Sequence, residues 1–168
     1  MNRNAILFAL FVSLLILFAL GLPSYTVTNL ERFHAEDGAM WSSFIITAEG
    51  DTTTIHTIDP DFTSESFDFE LDEWVYPFTD ADRRAIEDIL NRHDLLWHRD
   101  DYQRLIPVHD GTTLAIDVTY DGKTKEIWCN NNIPGSLWAI PLEIIAYYEK
   151  TYPAVQPVLL DPTEPPRR

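Results

Sequence analysis

The sequence predicts an α+β domain, with an antiparallel sheet of four to five strands and two helices packed on one face. An N-terminal hydrophobic signal or anchor helix precedes it. Three observations predict this. Several short segments alternate between apolar and polar residues at the period of two that a half-buried strand requires. Two other segments carry an apolar stripe at helical spacing. From Ala5 to Leu22 every residue is apolar except Ser13 and Gly21, with no charge.

That apolar run, about 18 residues long, is longer than a usual signal core and just long enough to span a bilayer. Arg3 is the single charge ahead of it, which predicts the N-terminus inside and the bulk of the chain outside. Ala19 and Gly21 supply small residues for a cleavage site. Pro23 close behind weakens that site, so the balance favours an uncleaved anchor over residues 1–24. Residues 25–41 read as a spacer leading off the membrane, residues 42–153 as one folded domain, and residues 154–168 as a flexible Pro-rich tail.

Within the domain, Ser42 to Ala48 reads as a strand, Glu49-Gly50-Asp51 as a turn, and Thr52 to Ile58 as the returning strand. Glu65 to Asp72 alternates strictly, with Phe67, Phe69 and Leu71 on one face and Asp68, Glu70 and Asp72 on the other. Thr79 with Asp82 three residues on forms a capping box. The helix it opens should run from Asp80 to near Leu96, with Ala85, Ile86, Ile89, Leu90, His93 and Trp97 on the buried stripe.

Thr112 to Tyr120 alternates again, with Leu114, Ile116, Val118 and Tyr120 inward, and Asp121-Gly122 is a hairpin turn signal. A connection of two or four residues puts Ile127 and Cys129 on the face of Ile116. A three-residue loop would oppose Glu126 to Val118. The even loop is favoured, so Cys129 points into the core and Trp128 away from it. Pro141 suits the first turn of a final helix, whose stripe holds Leu142, Ile145 and Tyr148 with Ile144 and Tyr147 beside them.

From Asp80 to Tyr152 the chain resembles small uncharacterised bacterial α+β domains, often secreted or lipid-anchored. The resemblance rests on the helix Ile86 to Trp97, the strand Leu114 to Val118 and the turn Tyr120-Asp121-Gly122. The strand Ile127 to Cys129, the Asn130–Asn132 loop and the Pro-started helix from Pro141 complete it. Thr113-Leu114 departs from it, standing where a Trp is common. The resemblance implies a fold and an envelope location, and no activity.

The chain carries 12 basic and 27 acidic side chains, a net charge of −15, and the first 24 residues contribute only Arg3 to that sum. Phosphate backbones would repel such a domain, which excludes nucleic acid as a partner. Cys129 is the lone cysteine, so no intramolecular disulfide forms and the core must hold the fold by itself.

Motifs for chemistry are sparse. Asp59, Asp61, Thr63, Glu65 and Glu70 match positions 1, 3, 5, 7 and 12 of a calcium loop. Ser64 stands where the sharp turn needs Gly, and Phe67 falls at the ninth position, so calcium is a weak candidate and no metal or cofactor is assigned. His93 and His98, five residues apart, fall on different helix faces, and His34, His56 and His109 are scattered. Neither a His-Glu-x-x-His motif nor a Gly-x-Ser-x-Gly elbow is present. No catalytic residue is assigned.

Trp128, Asn130, Asn131, Asn132 and Trp138 form a polar-aromatic cluster and are the candidate binding residues. An outward Trp beside amides suits recognition of a protein or a sugar. The leading expectation is therefore a non-catalytic extracytoplasmic interaction module. It is anchored in a membrane or secreted, with an envelope protein as partner. A small extracytoplasmic hydrolase and an acidic inhibitor of an envelope or foreign enzyme are the alternatives.

Overall fold

The computed structural model describes residues 25–38, 44–58, 71–103 and 111–159. Among them the chain is α+β, with strands β1 (Leu30–Asp37), β2 (Phe44–Glu49), β3 (Thr52–Ile58), β4 (Leu71–Pro77), β5 (Asp101–Gln103), β6 (Thr113–Tyr120), β7 (Lys123–Asn130) and the two-residue β8 (Val158–Leu159). They form one sheet in the order β5-β7-β6-β1-β2-β3-β4-β8. Two helices, α1 (Asp80–Arg92) and α2 (Gly135–Thr151), join it. The sheet is larger than four to five strands, and it is mixed, because β5 runs parallel to β7. The calcium candidates Asp59, Asp61, Glu65 and Glu70, and the apolar run 5–22, lie outside the described residues. No helix among the described residues is long and apolar enough to cross a membrane.

Alternation decides which face is buried. Phe33 and Ala35 of β1, Ile46 and Ala48 of β2, Ile55 of β3, and Tyr76 of β4 point to one side. Leu114, Ile116 and Val118 of β6 and Ile127 and Cys129 of β7 join them. The helices close this side with Ile86, Ile89, Leu90, Leu137, Ile140, Ile144 and Tyr148, all in one cluster. The β6–β7 hairpin has the two-residue loop that parity favours, with Ile116 opposite Ile127 and Leu114 opposite Cys129. Asp121 and Gly122 both take positive φ, 48° and 66°, as a type I′ turn demands.

Three expectations are corrected. The spacer assigned to residues 25–41 contains β1, which lies between β2 and β6 near the centre of the sheet. Its buried residues are Leu30, Phe33, Ala35 and Asp37, of which two are bulky and apolar and the shift in register near Leu30 breaks their period, so it lacks the regular alternation that marks a strand in sequence. The segment assigned to a flexible tail, residues 154–168, contains β8, where Val158 pairs with Glu73 at the sheet edge. The last helix starts at Gly135, so Pro141 lies inside it. An interior Pro removes one backbone hydrogen bond and disfavours a helix by about 3 kcal/mol. Here the burial of Leu137, Ile140, Ile144 and Tyr148, rather than Leu142, outweighs that cost.

The capping box at α1 is present as read. Asp82 Oδ2 accepts from the Thr79 N–H at 2.8 Å, and the Asp82 N–H donates to Thr79 Oγ1 at 3.3 Å. Asp82 is fully buried and also accepts from the hydroxyls of Tyr147, at 2.8 Å, and Tyr152, at 3.0 Å, tying the start of α1 to the end of α2. Burial works against its charge, but these donors outweigh it and hold the carboxyl below its ordinary pKa. The α1 helix ends at Arg92, because Asp94 takes a left-handed φ of 52° and turns the chain into a short 3-10 helix. Trp97 therefore leaves the buried stripe and is 68% exposed.

Candidate functional site

The second face of the sheet defines the candidate site. Among the described residues no helix or strand layer covers it, and Ile45, Val75 and Trp128 stand exposed on it. Strand register orders its side chains into rows. One row runs Trp128, Ala115, Glu36, Ile45, His56, Glu73 across β7, β6, β1, β2, β3 and β4. The next runs Glu126, Asp117, His34, Thr47, Thr54, Val75. Strands lie about 4.8 Å apart, so Trp128 and Ile45, three strands apart, are separated by roughly 14 Å.

Most polar groups on this face engage one another. His34 Nδ1 lies 3.0 Å from Thr47 Oγ1, and His56 Nε2 lies 3.7 Å from Glu73. Arg32 Nε pairs with Glu49 at 3.6 Å. Trp128 differs. Its neighbour on β6 is the small Ala115, which leaves the indole without a bulky cross-strand partner. On β5 its neighbour is the exposed Asp101, and two residues away along β7 stand Glu126 and Asn130, both exposed. The result is a flat aromatic surface rimmed by acceptors. Its backbone is held firmly, the Trp128 N–H donating to the Asp100 carbonyl at 2.9 Å.

The five candidate binding residues do not converge. Trp128 and Asn130 share the open face. Asn131 is a turn residue at φ 56°, its N–H donating to Thr112 O at 2.9 Å, and its amide sits against Gly111 so closely that a Cβ there would collide with it. Asn132 is exposed in the loop. Trp138 lies on the opposite side of the sheet, half-buried, with its ring edge-on to Phe44 at 6.1 Å. Cys129 is buried, and burial pushes its thiol up to about 11, which makes it inert as a nucleophile at neutral pH. His93 Nε2 donates to Glu143 at 2.8 Å, and the same carboxylate holds Arg92 at 2.5 Å. No group of His, Cys, Asp and Glu among the described residues converges as a metal site.

The fold also assembles a cluster that spacing does not announce. Ser136 Oγ, in the first turn of α2, lies 3.1 Å from His98 Nε2, and His98 Nδ1 lies 2.8 Å from the Tyr102 hydroxyl. Lys125 donates to the His98 carbonyl at 2.7 Å and also pairs with Asp100. The Arg99 guanidinium sits 4.4 Å over the Tyr102 ring. Burial, aided by the Lys125 charge, keeps the His98 imidazole below its usual pKa, so it is neutral at pH 7 and able to accept a proton. A tautomer with Nδ1–H donated to Tyr102 leaves Nε2 as the acceptor for the serine hydroxyl. Ser136 and His98 are 38 residues apart, and only the docking of α2 brings them together.

Comparison with protein-family models, curated proteins and solved structures finds no match to this chain.

Proposed function

We propose that the protein is a non-catalytic interaction module that works outside the cytoplasm, held at a membrane by residues 5–22 or released after their cleavage. The open sheet face around Trp128 is its binding surface. The observation that carries this reading is an indole left uncovered by Ala115 and ringed by Asp101, Glu126 and Asn130. The occupant it suits is a protein surface that presents Arg or Lys. A guanidinium can lie over the Trp128 ring while its neighbours pair with Glu126, Asp101 and Glu36. The net charge of −15 favours the same partner by steering. An envelope protein is such a partner, and a basic foreign enzyme inhibited by the module is its variant form.

The test is affinity capture of the tagged full-length chain from gently solubilised envelope, in parallel with Trp128→Ala and with Leu142→Ser, an exposed helix position on the far side. A stoichiometric partner that is lost with Trp128→Ala and with 0.5 M salt, but kept with Leu142→Ser, supports the reading. A partner retained by Trp128→Ala refutes it.

The hydrolase alternative has one observation in its favour, the Ser136–His98–Tyr102 hydrogen-bonded series. In that reading Ser136 Oγ attacks an ester carbonyl while His98 Nε2 takes the hydroxyl proton. His98 then returns the proton to the leaving alkoxide. Labelling of Ser136 by a fluorophosphonate, abolished in His98→Ala, would establish it, and absence of labelling at millimolar probe would remove it.

A further inference from the structure

Tyr25 and Trp97 pack against each other, tilted, in the open. Their ring centroids are 4.5 Å apart at 46°, and they are 46% and 68% exposed, Trp97 more than any other large hydrophobic among the described residues. An aromatic pair of this size is ordinarily buried. The backbone beside each member is tied into the fold. Leu95, 1% exposed, pins the 3-10 turn, and the Trp97 N–H donates to Asp94 O at 2.9 Å. On the other side Asn91, near the end of α1, clamps Val27 twice. The Val27 N–H donates to Asn91 Oδ1 at 2.6 Å, and Asn91 Nδ2 donates to Val27 O at 2.9 Å. The clamp fixes the chain two residues beyond Tyr25, which is itself three residues beyond Leu22, the end of the apolar run.

Three residues span at most about 10 Å. The headgroup region on each side of a bilayer is roughly 5–8 Å deep. If residues 5–22 lie in the hydrocarbon, Tyr25 cannot be far from the headgroup layer, and Trp97 goes with it. Tyr and Trp favour that layer, with the ring against the acyl boundary and the polar edge in water. The exposed charges nearest Trp97 in sequence, Asp94, Arg99 and Asp100, are of mixed sign, and the domain is acidic, so zwitterionic lipid suits this patch.

We infer that the Tyr25–Trp97 pair is an interfacial seat that docks the domain against the bilayer surface and so sets which way the open sheet face points. This rests on the reading of residues 5–22 as an inserted anchor. The test uses the full-length chain in phosphatidylcholine vesicles, with and without lipids brominated near the headgroup end of the acyl chain. Alkaline carbonate extraction scores insertion separately. The expected result is a carbonate-resistant protein whose tryptophan quenching falls at least twofold in Trp97→Phe and is unchanged in Trp128→Phe. An environment-sensitive dye on Tyr25→Cys should shift to the blue by the same contact, Cys129 being buried. A resistant protein with equal quenching in Trp97→Phe and no dye shift overturns the seat and leaves the anchor standing. Extraction by carbonate overturns the anchor and the seat together.

Discussion

Replacing Asp82 with Ala removes the buried carboxylate that joins the start of α1 to the end of α2. It is fully buried and accepts from the Thr79 N–H at 2.8 Å, the Thr79 hydroxyl at 2.6 Å, and the hydroxyls of Tyr147 and Tyr152. A hydrogen bond to a charged group contributes about 1.5–3 kcal/mol, and a lost helix cap costs about 1 kcal/mol. The donors share one acceptor and Tyr152 is partly solvated, so these figures do not add, and removing the carboxylate also removes its desolvation cost. The net loss is roughly 3 kcal/mol. For a domain of this size the urea dependence is about 2 kcal/mol per molar, which gives a midpoint lower by roughly 1.5 M. Asp82→Asn keeps the shape and one acceptor but faces the Thr79 N–H with its own donors, so about half the loss remains. The assay is urea unfolding of the full-length chain in mild detergent, followed by tryptophan fluorescence.

The pH dependence carries a sign of its own. The folded carboxyl titrates below its ordinary value of 3.8, so its contribution is complete above about pH 5 and falls away as the pH drops through the folded value. Wild type and Asp82→Asn should therefore differ most near neutrality and converge in acid. A midpoint shift under about 0.3 M for Asp82→Ala, or a constant gap between wild type and Asp82→Asn from pH 7 to pH 3, would refute the reasoning.

Three further outcomes follow from buried or turn positions. Tyr148→Phe leaves the fully buried Thr53 hydroxyl without its 2.7 Å partner and should cost about 1–3 kcal/mol, whereas Thr53→Val in that background should recover most of it. A double-mutant cycle by urea unfolding checks this, and additive losses would count against the pair. Cys129 should resist an impermeant maleimide at pH 8 in the native protein and react at least tenfold faster in urea, as stopped-time labelling with mass spectrometry would show. Gly122→Ala, at φ 66° in the hairpin turn, should lower stability by about 1 kcal/mol in the same unfolding assay, and no change would mean the turn relaxes.

The parts of the fold legible in sequence are those settled within about ten residues. Thr79 and Asp82 announced the start of α1 because a cap needs only its own turn. Asp121-Gly122 set an even hairpin loop, and the period of two then placed Cys129 inward and Trp128 outward. The tertiary structure decided what depends on distant partners. Strand β1 shows little apolar pattern, yet pairing with β2 and β6 places it mid-sheet. The expected strand over Glu65–Asp72 lies outside the described residues except for Leu71 and Asp72, which open β4 and pair with Ile58 and Thr57 of β3, a partner that sequence alternation cannot name. Trp138 and Trp128 look like neighbours in the chain, but α2 crosses to the buried face and carries Trp138 onto Phe44. The encounters of Ser136 with His98 and of Tyr25 with Trp97 arise in the same way. Local backbone chemistry is written in adjacent side chains. Which surfaces meet is decided by the packing of the whole chain, where burying one face of the sheet outweighs any local preference for how each segment is placed.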